Sequence, residues 1–316
     1  MALPKYRPQL ATLVDRAPSG PEWLHELKYD GYRIGCFIER GKVTLESRRG
    51  NDWTARFPEV VEAAKRLKVR EALLDGEVAI VLPDGRTSFQ GLQNAFSGAS
   101  RDGLAYFVFD LLHLDGESIA ALPVEERKAR CEKLLRSRKP GVLRYSAHFD
   151  NDGPTVFRRA CELGGEGIVS KRRDRAHRPG RNGDWLKIKC VKRQEFVIGG
   201  FTDPQGSRAG IGALLIGYYA GKALRFAGKV GTGPGFTPKF LAGVRRKLEA
   251  IESEACPFDP RPPGAIARNA HWVKPVLAGE VAFGEWTEGG HVRHGSFQGF
   301  REDKDPKKIV REDAER

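Results

Sequence analysis

Near residue 191 the patterning of this chain changes, and that change limits its architecture more than any other feature. Before it, segments with strand spacing alternate with segments of helical spacing. GYRIGCFIER (31–40) and KVTLESR (42–48) read as a hairpin turning at Gly41, because Val43, Leu45 and Ser47 alternate with polar positions. FPEVVEAAKRLK (57–68) reads as a helix that starts at Pro58, with Val60, Val61, Ala64 and Leu67 on one face. EALLDGEVAIV (71–81), closed by the turn Pro83-Asp84-Gly85, and the aromatic-rich LAYFVFDLLHL (104–114) read as buried strands. PVEERKARCEKLLRSR (123–138) and TVFRRACELG (155–164) read as helices, and EGIVSKR (166–172) and DWLKIKC (184–190) as strands. Residues 1–190 are therefore expected to form one mixed α/β domain.

After residue 191 the pattern is short β segments with glycine turns: EFVIGGF (195–201), ALLIGYYA (213–220), ALRFAGKV (223–230) and EVAFGEWT (280–287). One helix interrupts them, PKFLAGVRRKLEAIE (238–252), with Phe240, Leu241, Val244, Leu248 and Ile251 along one side. Some five strands with one helix suggest a small Greek-key barrel of the OB-fold kind over residues 191–316, a fold that often binds nucleic acid. The fold class expected for the whole is α+β. PFDPRPPG (257–264) reads as a proline-rich surface loop.

A chain of 316 residues with 40% apolar content can bury a core in each domain. No apolar run approaches the roughly 18 residues of a membrane span, and MALPKYRPQL has prolines where a signal peptide would be hydrophobic. A cytoplasmic protein without a membrane partner is expected. The five cysteines are widely spaced and form no CxxC pair, so reduced, mostly buried thiols are expected in place of a disulfide or zinc framework. The formal net charge is +13, and basic residues gather in SRRG (47–50), SKRRDRAHRPGR (170–181) and KIKCVKR (187–193). Basic clusters beside glycine and aromatic residues favour a phosphate-bearing partner.

The chemistry centres on Lys28, set in ELKYDGYR (26–33). A lysine of ordinary pKa, about 10.4, is a poor nucleophile at neutral pH, so neighbouring cations and burial are expected to depress it. Lys187 and Lys189, which alternate along one strand, and Arg33 are the candidate neighbours. Gly31 would let the backbone turn sharply beside a phosphate.

The ordered strings ELKYDGYR, SRRG, DGE, FVFD, EGIVSK and WLKIK resemble those of the covalent nucleotidyltransferases: ATP-dependent DNA ligases, RNA ligases and capping enzymes. The chain is most similar to the ligase domain of bacterial DNA ligase D, through ELKYDGYR, LLDGE, EGIVSK and WLKIK, and downstream GALLIGYY, GKVGTG and RHGSFQGFRED. That resemblance implies an adenylation (nucleotidyltransferase) domain followed by an OB-fold domain, with ATP and Mg²⁺ or Mn²⁺ as cofactors. Lys28 would attack the α-phosphorus of ATP to form lysyl-AMP; AMP would pass to the 5′-phosphate of nicked or broken duplex DNA, and the 3′-hydroxyl would displace it.

By the same resemblance Glu26 takes the adenine amine, Phe109 stacks on the base and Val169 closes its other face. Arg33 and Arg48 contact ribose and phosphates, Glu77 and Glu166 bind a ribose hydroxyl or the metal, and Lys187 and Lys189 hold the AMP phosphate. Arg301, Asp303 and Lys304 fit an R-x-D-K pattern that orients pyrophosphate, although REDKDPKK would ordinarily read as a solvated tail. This implies a barrel that closes over ATP and swings away, with a hinge near 190–193. GTGPGFT (231–237) departs from the family's GTGF by two extra residues. The implied setting is DNA repair by end joining in a bacterium, on the nucleoid, by a monomer partnered with Ku and with polymerase and phosphoesterase modules. An RNA ligase, a capping guanylyltransferase or a non-catalytic OB-type nucleic-acid binder are the alternatives.

Overall fold

The computed structural model describes residues 3–96, 98–136, 141–204, 210–233 and 236–312. The chain divides into two compact units between Cys190 and Val191. Both are built mainly of strands with few helices, an α+β arrangement.

The first unit holds two sheets. The larger runs in the order Lys42–Ser47, Tyr32–Glu39, Glu71–Val81, Leu104–Leu114 and Glu117–Ser118; Thr87–Ser88 pairs with Glu71–Val81, and Leu143–Tyr145 lies parallel to Leu104–Leu114. The two eleven-residue apolar runs become its central strands because nearly every position in them is buried, as a strand covered on both faces requires. Helices Pro58–Lys65, Phe89–Phe96 and Val124–Leu135 contribute Val60, Leu92 and Cys131 to a core shared with Tyr32, Leu74 and Val108. Burying an apolar side chain of this size stabilises by about 1.5–3 kcal/mol.

The smaller sheet runs Gln9–Leu13, Gly180–Lys189, Gly167–Arg172, Trp23–Leu27 and His148–Phe149. Its first pair is parallel and the rest are antiparallel. Helix Gly153–Glu162 starts where the Asp152 carboxylate accepts from the Thr155 N–H, and Val156 and Ala160 pack on Ile168 and Ile188.

Several expectations need correction. The helix read over 57–68 ends at Lys65, and that read over 123–138 is resolved as Val124–Leu135, positions 137 and 138 lying outside the described residues. Trp23–Leu27 is a strand, which puts Glu26 in the smaller sheet, and helix Phe89–Phe96 was not foreseen. The thiols are not all reduced, since Cys161 and Cys190 form a disulfide. Twenty-nine residues of sequence hide the pair, but the end of helix Gly153–Glu162 meets the end of strand Gly180–Lys189, with Cα atoms 5.4 Å apart.

The second unit is an antiparallel sheet in the order Ala223–Val230, Ala213–Ala220, Arg193–Thr202, Ala270–Ala282 and Ser296–Phe300. Helix Pro238–Glu249, capped by the Thr237 hydroxyl, buries Leu241, Val244 and Leu248 in its core. EVAFGEWT is not one strand: Glu280–Ala282 close the thirteen-residue strand Ala270–Ala282, and Glu285–Trp286 pair separately with Val292–Arg293 beyond Gly284. The proline-rich loop is anchored, because Phe258 is buried against Trp272. Nor is the C-terminal stretch simply solvated: Asp303 and Ile309 are both buried. Pro234 and Gly235, the departure within GTGPGFT, lie outside the described residues.

Candidate active site

Lys28 follows directly on strand Trp23–Leu27 and is fixed by its backbone, whose N–H donates to the Gly167 carbonyl at 3.0 Å. Gly167 has to be glycine: its φ is +148°, and a Cβ would fall 2.0 Å from the Ile188 carbonyl oxygen. Gly31 is needed for a different reason from the sharp turn expected, since a Cβ there would meet the Val78 carbonyl at 2.1 Å. The Lys28 ammonium pairs with Glu166 at 2.6 Å. The expected depression of Lys28 is therefore reversed. Burial opposes its charge, but Glu166, Glu77 and Asp30 outweigh burial and hold the ammonium above its ordinary range. Asp30, for its part, receives the Phe89 N–H and so helps to start the following helix.

Arg33 and Glu77 are register partners on neighbouring strands. Arg33 meets the buried Asp75 with two nitrogens, at 3.0 and 2.6 Å, and donates to the Gln9 carbonyl at 2.6 Å. Tyr6 donates its hydroxyl to the same carboxylate at 2.7 Å. Burial disfavours the Arg33 charge, but Asp75 more than offsets this. Asp75, quoted in DGE but given no role, is what orients Arg33.

Phe109 is half-buried, with the Trp185 ring edge-on at 6.0 Å, the Arg33 guanidinium 5.1 Å and the Lys171 ammonium 4.7 Å from its ring centre. Val169, half-buried, sits between Glu26 and Lys187 in register on its two neighbouring strands. Lys187 and Lys189 are half-buried on strand Gly180–Lys189. The structure thus brings Glu26, Lys28, Arg33, Phe109, Glu166 and Val169 together in one unit through ladder pairs and direct contacts. Arg48 lies on the exposed turn after Lys42–Ser47.

Glu26 is almost fully buried, and its partners were missed from sequence. Its Oε1 pairs with Lys128 at 2.9 Å and Lys171 at 2.6 Å, and its Oε2 accepts from the Ser146 hydroxyl at 2.8 Å. Burial pushes its pKa up, but the two ammonium groups pull it below the ordinary carboxylate value. Burial lowers Lys171 to about 8 despite Glu26. Lys171 was visible in EGIVSK; Lys128 had no signal beyond a charged residue on the inner side of a helix.

In the second unit Arg301 is half-buried and bidentate to Asp303 at 2.8 Å, and Lys304 pairs with Glu195 at 2.7 Å. Burial raises the Asp303 pKa, but Arg301 reverses this and holds it below the ordinary value. Among the described residues no three His, Cys, Asp or Glu side chains gather to hold a metal. Glu77 and Glu166 both lie within electrostatic reach of Lys28, and their carboxylate oxygens are donors of the kind that hard divalent cations take.

Residues 6–189 match the model of the ATP dependent DNA ligase domain and residues 207–304 that of the ATP dependent DNA ligase C terminal region. The structure resembles that titled mycobacterial DNA ligase D complexed with ATP and MES, with a TM-score of 0.71, 34% identity and coverage of 97% of this chain and 98% of that one. The fold is therefore that of a nucleotidyltransferase domain followed by an OB-fold domain. The Multifunctional non-homologous end joining protein LigD of Pseudomonas aeruginosa is 43% identical over 96% of this chain and 36% of its own length. The corresponding protein of Mycobacterium bovis is 36% identical over 92% of the chain and 38% of its own length. The chain belongs to the ATP-dependent DNA ligase family. It spans little more than a third of the length of these relatives.

Proposed function

We propose that this chain seals 5′-phosphate/3′-hydroxyl breaks in duplex DNA, with ATP as the source of AMP. The observation that carries the reading is Lys28 paired at 2.6 Å with Glu166, beside Glu77, in a nucleotidyltransferase fold. Lys28 Nζ loses its proton and attacks the α-phosphorus; a nitrogen–phosphorus bond forms as the bond to pyrophosphate breaks. The 5′-phosphate of the DNA takes AMP from Lys28, and the 3′-hydroxyl then displaces AMP. Glu26 and Phe109 bind the base, with Val169 against its other face. Arg33, Lys187 and Lys189 hold ribose and phosphate, with Arg48 a further phosphate contact. Glu77 and Glu166 would hold Mg²⁺ or Mn²⁺, which supplies charge neutralisation at the phosphates. Arg301, Asp303 and Lys304 serve the first step by orienting pyrophosphate.

The setting proposed is DNA repair by end joining, which the relatives' printed names support; a bacterial cytoplasm, the nucleoid, and Ku, polymerase and phosphoesterase partners are proposed from the family resemblance alone. The units proposed for these roles are residues 1–190 and 191–316.

Incubation with Mg²⁺ and α-labelled ATP is expected to leave a label that survives denaturation and is released by acid. Lys28→Ala should abolish it in a folded protein. A label from GTP alone, or none, would overturn the reading. Alanine at Arg301 or Lys304 is expected to slow labelling from ATP and to spare the sealing of DNA that already carries AMP.

A further inference from the structure

The buried groups around Glu26 form more than a structural ion pair. A carboxylate has about four accepting positions. On Glu26 the ammonium groups of Lys128 and Lys171 lie at ion-pair distance from Oε1, and the Ser146 hydroxyl occupies one position on Oε2. A further accepting position remains on Oε2. Lys128 is itself completely buried, on helix Val124–Leu135, and is held by a second bond to the Ser146 carbonyl at 2.8 Å and by the Tyr145 ring 4.7 Å from its nitrogen. Ser146 therefore touches both members of the pair, its carbonyl on Lys128 and its hydroxyl on Glu26.

We infer that Lys128 is a positioning residue that sets the base specificity of the nucleotide site, by holding Glu26 ionised and turned so that Oε2 keeps an acceptor for the base. This rests on the proposed role of Glu26 in the adenylation of Lys28. An ionised Glu26 with one open acceptor fits the amino group at position 6 of adenine and repels the oxygen that guanine and hypoxanthine carry there. A Glu26 released from Lys128 can take up a proton, and a carboxylic acid donates to that oxygen. Burial pushes the Glu26 pKa up, but Lys128 and Lys171 together bring it below the ordinary carboxylate value, which agrees with this.

The test measures KM and kcat for covalent labelling of the full chain by ATP and by inosine triphosphate, which differs from ATP at position 6. A single hydrogen bond to a charged group carries about 10–100-fold in affinity, so the native chain is expected to favour ATP by that order. Lys128→Met should raise KM for ATP about tenfold, leave kcat within about twofold and shrink the preference to a few-fold, whereas Lys128→Arg should keep it. A purely structural role would weaken both nucleotides alike, and an unchanged ratio in folded Lys128→Met would overturn the inference. Should that variant not fold, Lys128→Gln removes the charge while keeping a donor for the Ser146 carbonyl and should relax the same ratio; an unchanged ratio there is equally fatal. Equal labelling of the native chain by both nucleotides sinks this inference alone, and no labelling by either sinks the functional reading with it.

Discussion

Asp75 reaches Arg33 with both oxygens from a fully buried position, so neither member can lose the other without leaving a charge out of water. Asp75→Ala is expected to cost roughly 3–5 kcal/mol in urea unfolding, and a loss below about 1 kcal/mol would show that the Arg33 charge finds another partner. Lys28 is governed by a similar balance with the opposite chemical demand, because in the proposed reaction the carboxylates that hold its ammonium also keep it from attacking. Its labelling rate should climb about tenfold per pH unit from 6 to 8, since the neutral amine grows in that proportion below a raised pKa. A flat profile would mean that the proton is already gone when ATP arrives. The proposed nucleophile drew attention in the sequence because the family signature around it is a contiguous string. Its electrostatics were not legible, because Glu166 arrives from just before a strand far along the chain and an ion pair between distant residues leaves no local pattern. Asp75 and Lys128 stayed without a role for the same reason.

Among the elements, the strands Leu104–Leu114, Ala213–Ala220 and Ala223–Val230 coincide with the sequence reading because apolar content and turn residues bound each of them on both sides. EVAFGEWT did not, since Gly284 interrupts a run whose two halves pair with different strands. The disulfide joins the end of helix Gly153–Glu162 to the end of strand Gly180–Lys189, where the N–H of Cys190 also donates to the Glu166 carbonyl at 2.9 Å. Thiol titration of the unfolded, unreduced protein should find three free groups, Cys36, Cys131 and Cys256. Five would show that the bridge is absent. Reduction should lower stability by about 3.6 kcal/mol, the loop-entropy value for a link spanning some thirty residues.

At the scale of the molecule, composition and charge pointed to a polyanion, and the excess of 54 basic over 41 acidic residues fixes how binding must respond to salt. If the proposed duplex contacts six or more phosphates, affinity for a nicked duplex should fall by about 10³-fold between 50 and 200 mM salt, read by fluorescence anisotropy. A change of only a few-fold would remove the electrostatic argument for DNA. The two-part division was legible in the shift of pattern near residue 191, whereas the sheet order within each unit was not, because pairing between distant strands leaves no local signal. One such pairing also sets a timetable. Gln9–Leu13 lies parallel to Gly180–Lys189, so this strand has its sheet partner only after some 170 further residues have been made. At translation rates of roughly 5–20 residues per second, the nascent strand waits about 10–35 s with an open edge. The smaller sheet, and with it the backbone bond that seats Lys28, is completed late in synthesis, and a chain released early would lack both.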